Sequence, residues 1–317
     1  MTDAAGSLED EPLPVCRPAD VVAQPPGAKW MVRDLWLRAA VGVIGGPPKS
    51  CKTWLSLDLA TSVSSGTPAL GRFPVEHPGP ALVYLAEDSL PQTRDRLEGL
   101  CRHRGLDLRD LDLQLLDVPV LRLDDPLQRR RLTATVAALR PRLLLLDPLV
   151  RLHAGDENNA QEMARLLAYL RELQRTYELA VILVHHVSKR RRAQPGQALR
   201  GSSDLHAFGD SNAYLMRSEK RLTLTLEHRA APSLDPLPVR LVGDDQPHLE
   251  VDGGEAPAEP SLLERVLGHL SSAGAPLTRE ALRAHVRVNN QRLGEVLEML
   301  AREGRARRTA KGWVTTA

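Results

Sequence analysis

Apolar runs too short to be helices punctuate the first two-thirds of this 317-residue chain: Val41–Gly45, Ala81–Ala86, Leu143–Leu146 and Ala180–Val184. Each is apolar throughout and does not alternate with polar residues. That pattern marks strands buried on both faces, as in a parallel sheet covered by helices on either side. Helical patterns lie between the runs, over Thr53–Ser65, Leu90–His103, Asp125–Leu139 and Ala160–Tyr177. In Ala160–Tyr177, Met163, Leu166, Leu167, Leu170 and Leu173 form one apolar stripe. The alternation predicts an α/β fold with a mostly parallel sheet flanked by helices. Beyond residue 210, Ser211–Arg217, Arg221–Glu227, Pro238–Val242 and His248–Val251 read as short strands joined by tight turns, an antiparallel extension of that sheet.

Composition limits the rest. Apolar residues make up 42% of the chain but aromatics only 3%, so the core must be built from Leu, Val, Ala and Ile. The net charge of +2 implies no partner by itself. Cys16, Cys51 and Cys101 are scattered and odd in number, which argues against a disulfide framework or a metal spacing and for a reducing, cytoplasmic setting. No apolar run approaches the ~18 residues of a membrane helix, and residues 1–28, polar and Pro-rich, read as a disordered lead-in with no signal segment. The expected organisation is a lead-in over 1–28, an α/β domain over 29–252, a linker over 253–260, and a small domain over 261–317. In that last segment three helices and a hairpin around Lys311-Gly312 predict a winged helix.

The first strand runs straight into Gly45-Gly-Pro-Pro-Lys-Ser-Cys-Lys-Thr53, and a helix follows. A phosphate-binding loop needs Gly, four free positions, Gly, Lys and Ser or Thr, between a strand and a helix. Here Gly46 begins the count, Pro47, Pro48, Lys49 and Ser50 fill it, and Cys51 stands at the second glycine, before Lys52, Thr53 and Trp54. Backbone amides in such a loop cradle phosphates at the positive end of the helix. Lys52 would reach the β- and γ-phosphates and Thr53 would hold Mg²⁺. The nest requires left-handed backbone, where a residue with a Cβ costs roughly 1–2 kcal/mol. Cys51, and Lys49 with it, are expected to carry that strain.

Other motifs fall at the ends of the other strands. Asp147 closes Leu-Leu-Leu-Leu-Asp, in place to hold the water shell of Mg²⁺. Glu87 and Asp88 follow the second strand, where a carboxylate can activate an attacking water. His185 and His186 end the Ala180 strand, and one of them suits a γ-phosphate sensor.

Together these blocks resemble RecA-like ATPases, specifically the hexameric RepA-type replicative helicases and their relatives, the AAA_25 group. The resemblance runs over roughly residues 29–245 and includes Leu199-Arg-Gly-Ser-Ser-Asp-Leu205. It implies ATP bound by the first block with Mg²⁺, Glu87 as catalytic base, Asp147 serving the metal, and His185 or His186 as sensor. It further implies a homo-oligomeric ring of six with ATP between subunits, which calls for a cation reaching the neighbour's phosphate. Arg229, at the end of the Arg221 strand, is the candidate, although the lysine usual two residues earlier is replaced by Glu227. The basic segment 188–203 resembles the loop facing the central channel, so Lys189, Arg190, Arg191, Arg192 and Arg200 would track single-stranded DNA. In the small domain, Arg292 near the start of the third helix and Arg307 and Arg308 on the wing would meet duplex DNA, or the domain would serve as a protein-binding module. The expected activity is an ATP-dependent DNA motor or remodelling enzyme. The alternative is a nucleotide-gated DNA-binding regulator or accessory ATPase with weak or no hydrolysis.

Overall fold

A computed structural model of the protein describes residues 14–22, 28–157, 159–186, 203–218, 221–243, 246–252, 262–273, 275–286, 290–302 and 304–316. The chain divides into two compact units, Met1–Asp252 and Gly253–Ala317.

The first unit is built on one nine-stranded sheet. In chain order the strands of the unit are β1 (Trp30–Val32), β2 (Trp36–Leu37), β3 (Val41–Gly46), β4 (Ala81–Leu85), β5 (Leu113–Leu115), β6 (Leu143–Asp147), β7 (Ala180–His186), β8 (Ser211–Ser218), β9 (Arg221–His228), β10 (Leu237–Val242) and β11 (His248–Val251). The spatial order is β11-β10-β9-β8-β3-β7-β6-β4-β5, while β1 and β2 pair separately. Strands β5, β4, β6, β7, β3 and β8 run parallel. Strands β9, β10 and β11 then add antiparallel. This is the expected architecture, extended by three strands of two or three residues, β1, β2 and β5, that are too short to show a period in the sequence.

Helices α1 (Lys52–Ser65), α2 (Leu90–His103), α3 (Pro126–Leu139), α4 (Ala160–Tyr177) and α5 (Ser203–Phe208) complete the unit. They cover both faces of the sheet, and the strands show why their runs are apolar throughout. In β6, Leu143 and Leu145 pack in one core with Leu55 and Leu59 of α1 and Leu97 of α2. Leu144 and Leu146 pack in the other, with Leu132 of α3 and Leu166 and Leu170 of α4. Successive strand residues point to opposite faces, and burying each such side chain is worth about 1.5–3 kcal/mol.

Helix ends follow their local chemistry. Ser89 caps α2 with a reciprocal capping box through Gln92, Asp125 caps α3 ahead of Pro126, and Asn159 caps α4. One buried ion pair ties α1 to the end of α2: Arg104 Nη2 lies 2.5 Å from Asp58 Oδ2, with side chains 8% and 2% exposed. Asp58 Oδ1 also accepts from the Leu70 amide at 2.8 Å, and Arg104 donates to Ser62 Oγ and Thr67 Oγ1. Within the stretch read as a lead-in, residues 14–22 are fully exposed and include a 3-10 turn over Pro18–Asp20.

The second unit holds α6 (Leu262–Ser272), α7 (Arg279–Val286), α8 (Asn290–Arg302) and the hairpin β12 (Ala306–Thr309) and β13 (Gly312–Thr315). Val266, Leu270, Leu282, Leu293, Leu297 and Leu300 form its own core. Thr278 Oγ1 accepts from the Ala281 amide at 3.2 Å, capping α7 as its sequence position predicts. Among the described residues no helix is long and apolar enough to cross a membrane.

Candidate nucleotide site

Strand β3 sits between β7 and β8 and ends at Gly46, so its following loop emerges in the middle of the carboxyl edge of the sheet. The chain turns tightly there. A Cβ on Gly46 would lie 2.4 Å from Ser50 Oγ and 2.5 Å from the Leu215 carbonyl oxygen, so a side chain does not fit. Lys49 and Cys51 adopt left-handed backbone, with φ of 61° and 63°. These are the two positions where strain was expected. Cys51 occupies the N-cap of α1 without any side-chain cap, so the first amides of the helix face the loop concavity unserved by a side chain. Ser50 Oγ is buried and has no hydrogen-bond partner among the described residues. Lys52 Nζ donates to the Pro47 carbonyl at 2.8 Å. An uncapped helix start, an orphaned hydroxyl and a lysine resting on a loop carbonyl together fit an anion with several oxygens.

A cleft of about 360 Å³ opens over this loop, lined by the continuous segment Lys49–Trp54. Glu87, Asp88, Asp147 and His186 face it from the neighbouring strand ends. Thr53 Oγ1 donates to Asp147 Oδ2 at 2.8 Å, which joins the first turn of α1 to the end of β6. The hydroxyl and carboxylate are a suitable pair for a hydrated divalent ion beside phosphate. Burial pushes the Asp147 carboxyl up to about 6, partly opposed by the Thr53 hydrogen bond and the Lys52 charge. Burial likewise pushes the Lys52 ammonium below its ordinary value, opposed mainly by Asp147. Both shifts say the same thing: the cleft under-solvates its own charges, and a bound polyanion with its counterion would complete them.

The register separates the two histidines. Gly45 pairs with His185 and Gly46 with His186 across β3 and β7. His186 lines the cleft. His185 is buried with Nδ1 3.7 Å from Glu157 Oε1. Gly45, Gly46, Pro47 and Pro48 contribute backbone to the turn and no lining side chain.

Other neighbours of the cleft were not singled out in the sequence. Arg96, two turns into α2, ion-pairs with Asp88 and stacks over the Trp54 ring at 5.5 Å. Its eight-residue spacing from Asp88 is the available signal, one helical face above the strand end. Arg151 Nε donates to Glu87 Oε1 at 3.1 Å, and Arg217 Nη2 lies 3.8 Å from Cys51 Sγ. Neither arginine carries a local signal of a place beside the cleft, and only the strand order reveals it.

Arg229 lies away from this cleft. Its Nη1 is 3.3 Å from Asp210 Oδ1, it also donates to the Ala207 carbonyl, and its amide donates to the Asp210 carbonyl at 2.9 Å. Asp210 Oδ2 accepts from the Val41 amide at 3.2 Å, which places the group at the start of β3, the end opposite the loop. Lys189, Arg190, Arg191, Arg192 and Arg200 lie outside the described residues. Arg292 falls in α8 of the second unit, and Arg307 and Arg308 are exposed on β12.

A parallel sheet whose central strand delivers a phosphate loop, with a carboxylate at the end of a nearby strand, defines a P-loop ATPase of RecA-like fold. Residues 9–192 match the AAA domain family AAA_25, and the chain belongs to that family. The fold is similar to the RadB recombinase, at TM-score 0.50 and 19% identity over 67% of this chain and 90% of that one. It is also similar to a DnaB-like replicative helicase, at TM-score 0.51 and 14% identity over 67% of this chain and 57% of that one. A KaiC-like protein from Pyrococcus horikoshii OT3 matches at TM-score 0.50 and 15% identity over 71% and 95%.

Proposed function

We propose that the chain is an ATP-hydrolysing motor that acts on DNA in replication or repair, helicase-like, and works as a ring of six. The observation that carries this reading is the convergence of Lys52, Thr53, Glu87, Asp147 and His186 on one cleft at the carboxyl edge of the sheet. Lys52 and the loop amides, Gly46 to Cys51, would hold the phosphates, with Trp54 beside them. Thr53 and Asp147 would hold Mg²⁺, which when bound neutralises charge on the phosphate oxygens. Glu87 is the base, His186 the group that senses the γ-phosphate, and His185 supports it from the next position. Arg229 acts on the neighbouring subunit's ATP, which agrees with its distance from its own cleft.

Two proteins of similar fold, a recombinase and a replicative helicase, support the DNA assignment. Lys189, Arg190, Arg191, Arg192 and Arg200 would face single-stranded DNA in the channel. The unit over 261–317 is read as a winged helix, linked through 253–260, with Arg292, Arg307 and Arg308 on duplex DNA or a protein partner. ATP hydrolysis measured with and without single-stranded DNA tests the proposal; absence of turnover in both conditions refutes it.

Cys51 favours a second reading, a nucleotide-gated DNA-binding regulator with weak hydrolysis, because its left-handed backbone strains the phosphate loop. Duplex binding by the full chain that follows nucleotide state, without strand separation, would support that reading over the motor.

A further inference from the structure

We propose that Arg151 is a positioning residue for Glu87: it holds one carboxylate oxygen and keeps the group aimed, so hydrolysis depends on it and nucleotide binding does not. This rests on the reading of Glu87 as the base. In that step Glu87 takes a proton from water as the water oxygen bonds to the γ-phosphorus, and the bond to the ADP oxygen breaks with its electron pair leaving on ADP.

Two independent features of the fold point to this role. The first is the contact itself, Arg151 Nε to Glu87 Oε1 at 3.1 Å, bridging the loop after β4 and the turn after β6. The second is the way the turn is braced. Leu149 and Leu152 are 0% exposed on either side of Arg151. The Leu123 amide donates to the Leu152 carbonyl at 2.6 Å, and Arg122 Nη1 donates to the Arg151 and His153 carbonyls at 3.1 and 2.5 Å. The backbone under Arg151 is therefore fixed, while its side chain is 59% exposed. An ion pair so open to water adds little to stability, so the contact itself does little to hold the fold. Arg151 does not line the cleft, whereas Glu87 does. The guanidinium thus holds a cleft-lining carboxylate from a residue outside the lining.

Other charged and titratable groups share the cleft with Glu87: Lys49 and Lys52 on the loop and α1, and Asp147 and His186 on β6 and β7. Asp88 shares its loop and is ion-paired with Arg96 of α2. Among the described residues, Arg151 is the cation in direct hydrogen-bond contact with Glu87.

The test is steady-state ATP hydrolysis by full-length wild type, Arg151→Ala, Arg151→Lys, Glu87→Gln and the double variant. Arg151→Ala should leave KM for ATP unchanged and lower kcat roughly tenfold. Arg151→Lys should restore kcat only in part, because an ammonium supplies the charge but not the guanidinium geometry. In the Glu87→Gln background, Arg151→Ala should have no further effect. A wild-type kcat in Arg151→Ala, or a raised KM with unchanged kcat, overturns the proposal. If Glu87→Gln hydrolyses ATP like wild type, the assignment of the base has failed instead, so the two failures are told apart.

Discussion

Cys51 offers a direct measure of the strain held in the phosphate loop. Its φ of 63° and ψ of 23° lie in the left-handed region, where a residue with a Cβ costs roughly 1–2 kcal/mol. Replacing it by glycine removes that cost but loosens the unfolded chain, which takes back roughly 0.4–1 kcal/mol. It also deletes a half-buried thiol packed against the core. Cys51→Ala deletes the same thiol and keeps the Cβ, so the difference between the two variants cancels the packing loss. Cys51→Gly should therefore exceed Cys51→Ala in stability by about 1 kcal/mol. For a unit of this size that separates the melting temperatures by about 2–4 °C, readable by calorimetry or urea titration of the nucleotide-free protein. Equal stabilities, or a more stable alanine variant, would refute the claim that this loop is strained at Cys51.

Further expectations follow from the site and core. Lys52→Ala should abolish ATP turnover while the fold, read by circular dichroism, is kept. Asp147→Asn should abolish Mg²⁺-dependent nucleotide binding yet stabilise the nucleotide-free protein at neutral pH. The sign follows from linkage: the folded carboxyl, raised to about 6 from 3.8, binds its proton more tightly than the unfolded chain does. Stability is thus lost as pH rises from about 4 to 6, up to roughly 3 kcal/mol, and the asparagine variant should lack that slope in pH-dependent denaturation. Asp58→Ala should cost roughly 3–5 kcal/mol, because it leaves Arg104 buried without its carboxylate; a loss below ~1 kcal/mol in urea unfolding would show the pair to be solvated.

The parts of the fold legible in sequence were those that physics writes as pattern. Strands β3, β6 and β7 are buried on both faces, so Val41–Gly45, Leu143–Leu146 and Ala180–Val184 read as unbroken apolar runs. Met163 through Leu173 mark α4 at helical spacing. The loop was legible because its spacing is covalent, and the strained positions Lys49 and Cys51 followed from it. What escaped depends on register and strand order. The choice between His185 and His186 depends on which one faces the cleft. Arg151 meets Glu87 because β6 lies beside β4, a neighbourhood across 64 residues that no local pattern encodes. Strand β5 is three residues long, Leu113–Leu115, too short to show alternation.

The scarcity of aromatics, read at first as a limit on the core, gives this molecule a built-in optical probe. The chain has four tryptophans. Trp30 and Trp36 are sealed in the first unit's core, and Trp313 belongs to the second unit. Trp54 lines the cleft, beneath the Arg96 guanidinium. A ligand that enters the cleft must change the surroundings of that indole while leaving its two buried companions in place. Intrinsic emission therefore reports occupancy without any label. It does so whether or not turnover follows, and loss of the response in Trp54→Phe would assign the signal to this ring.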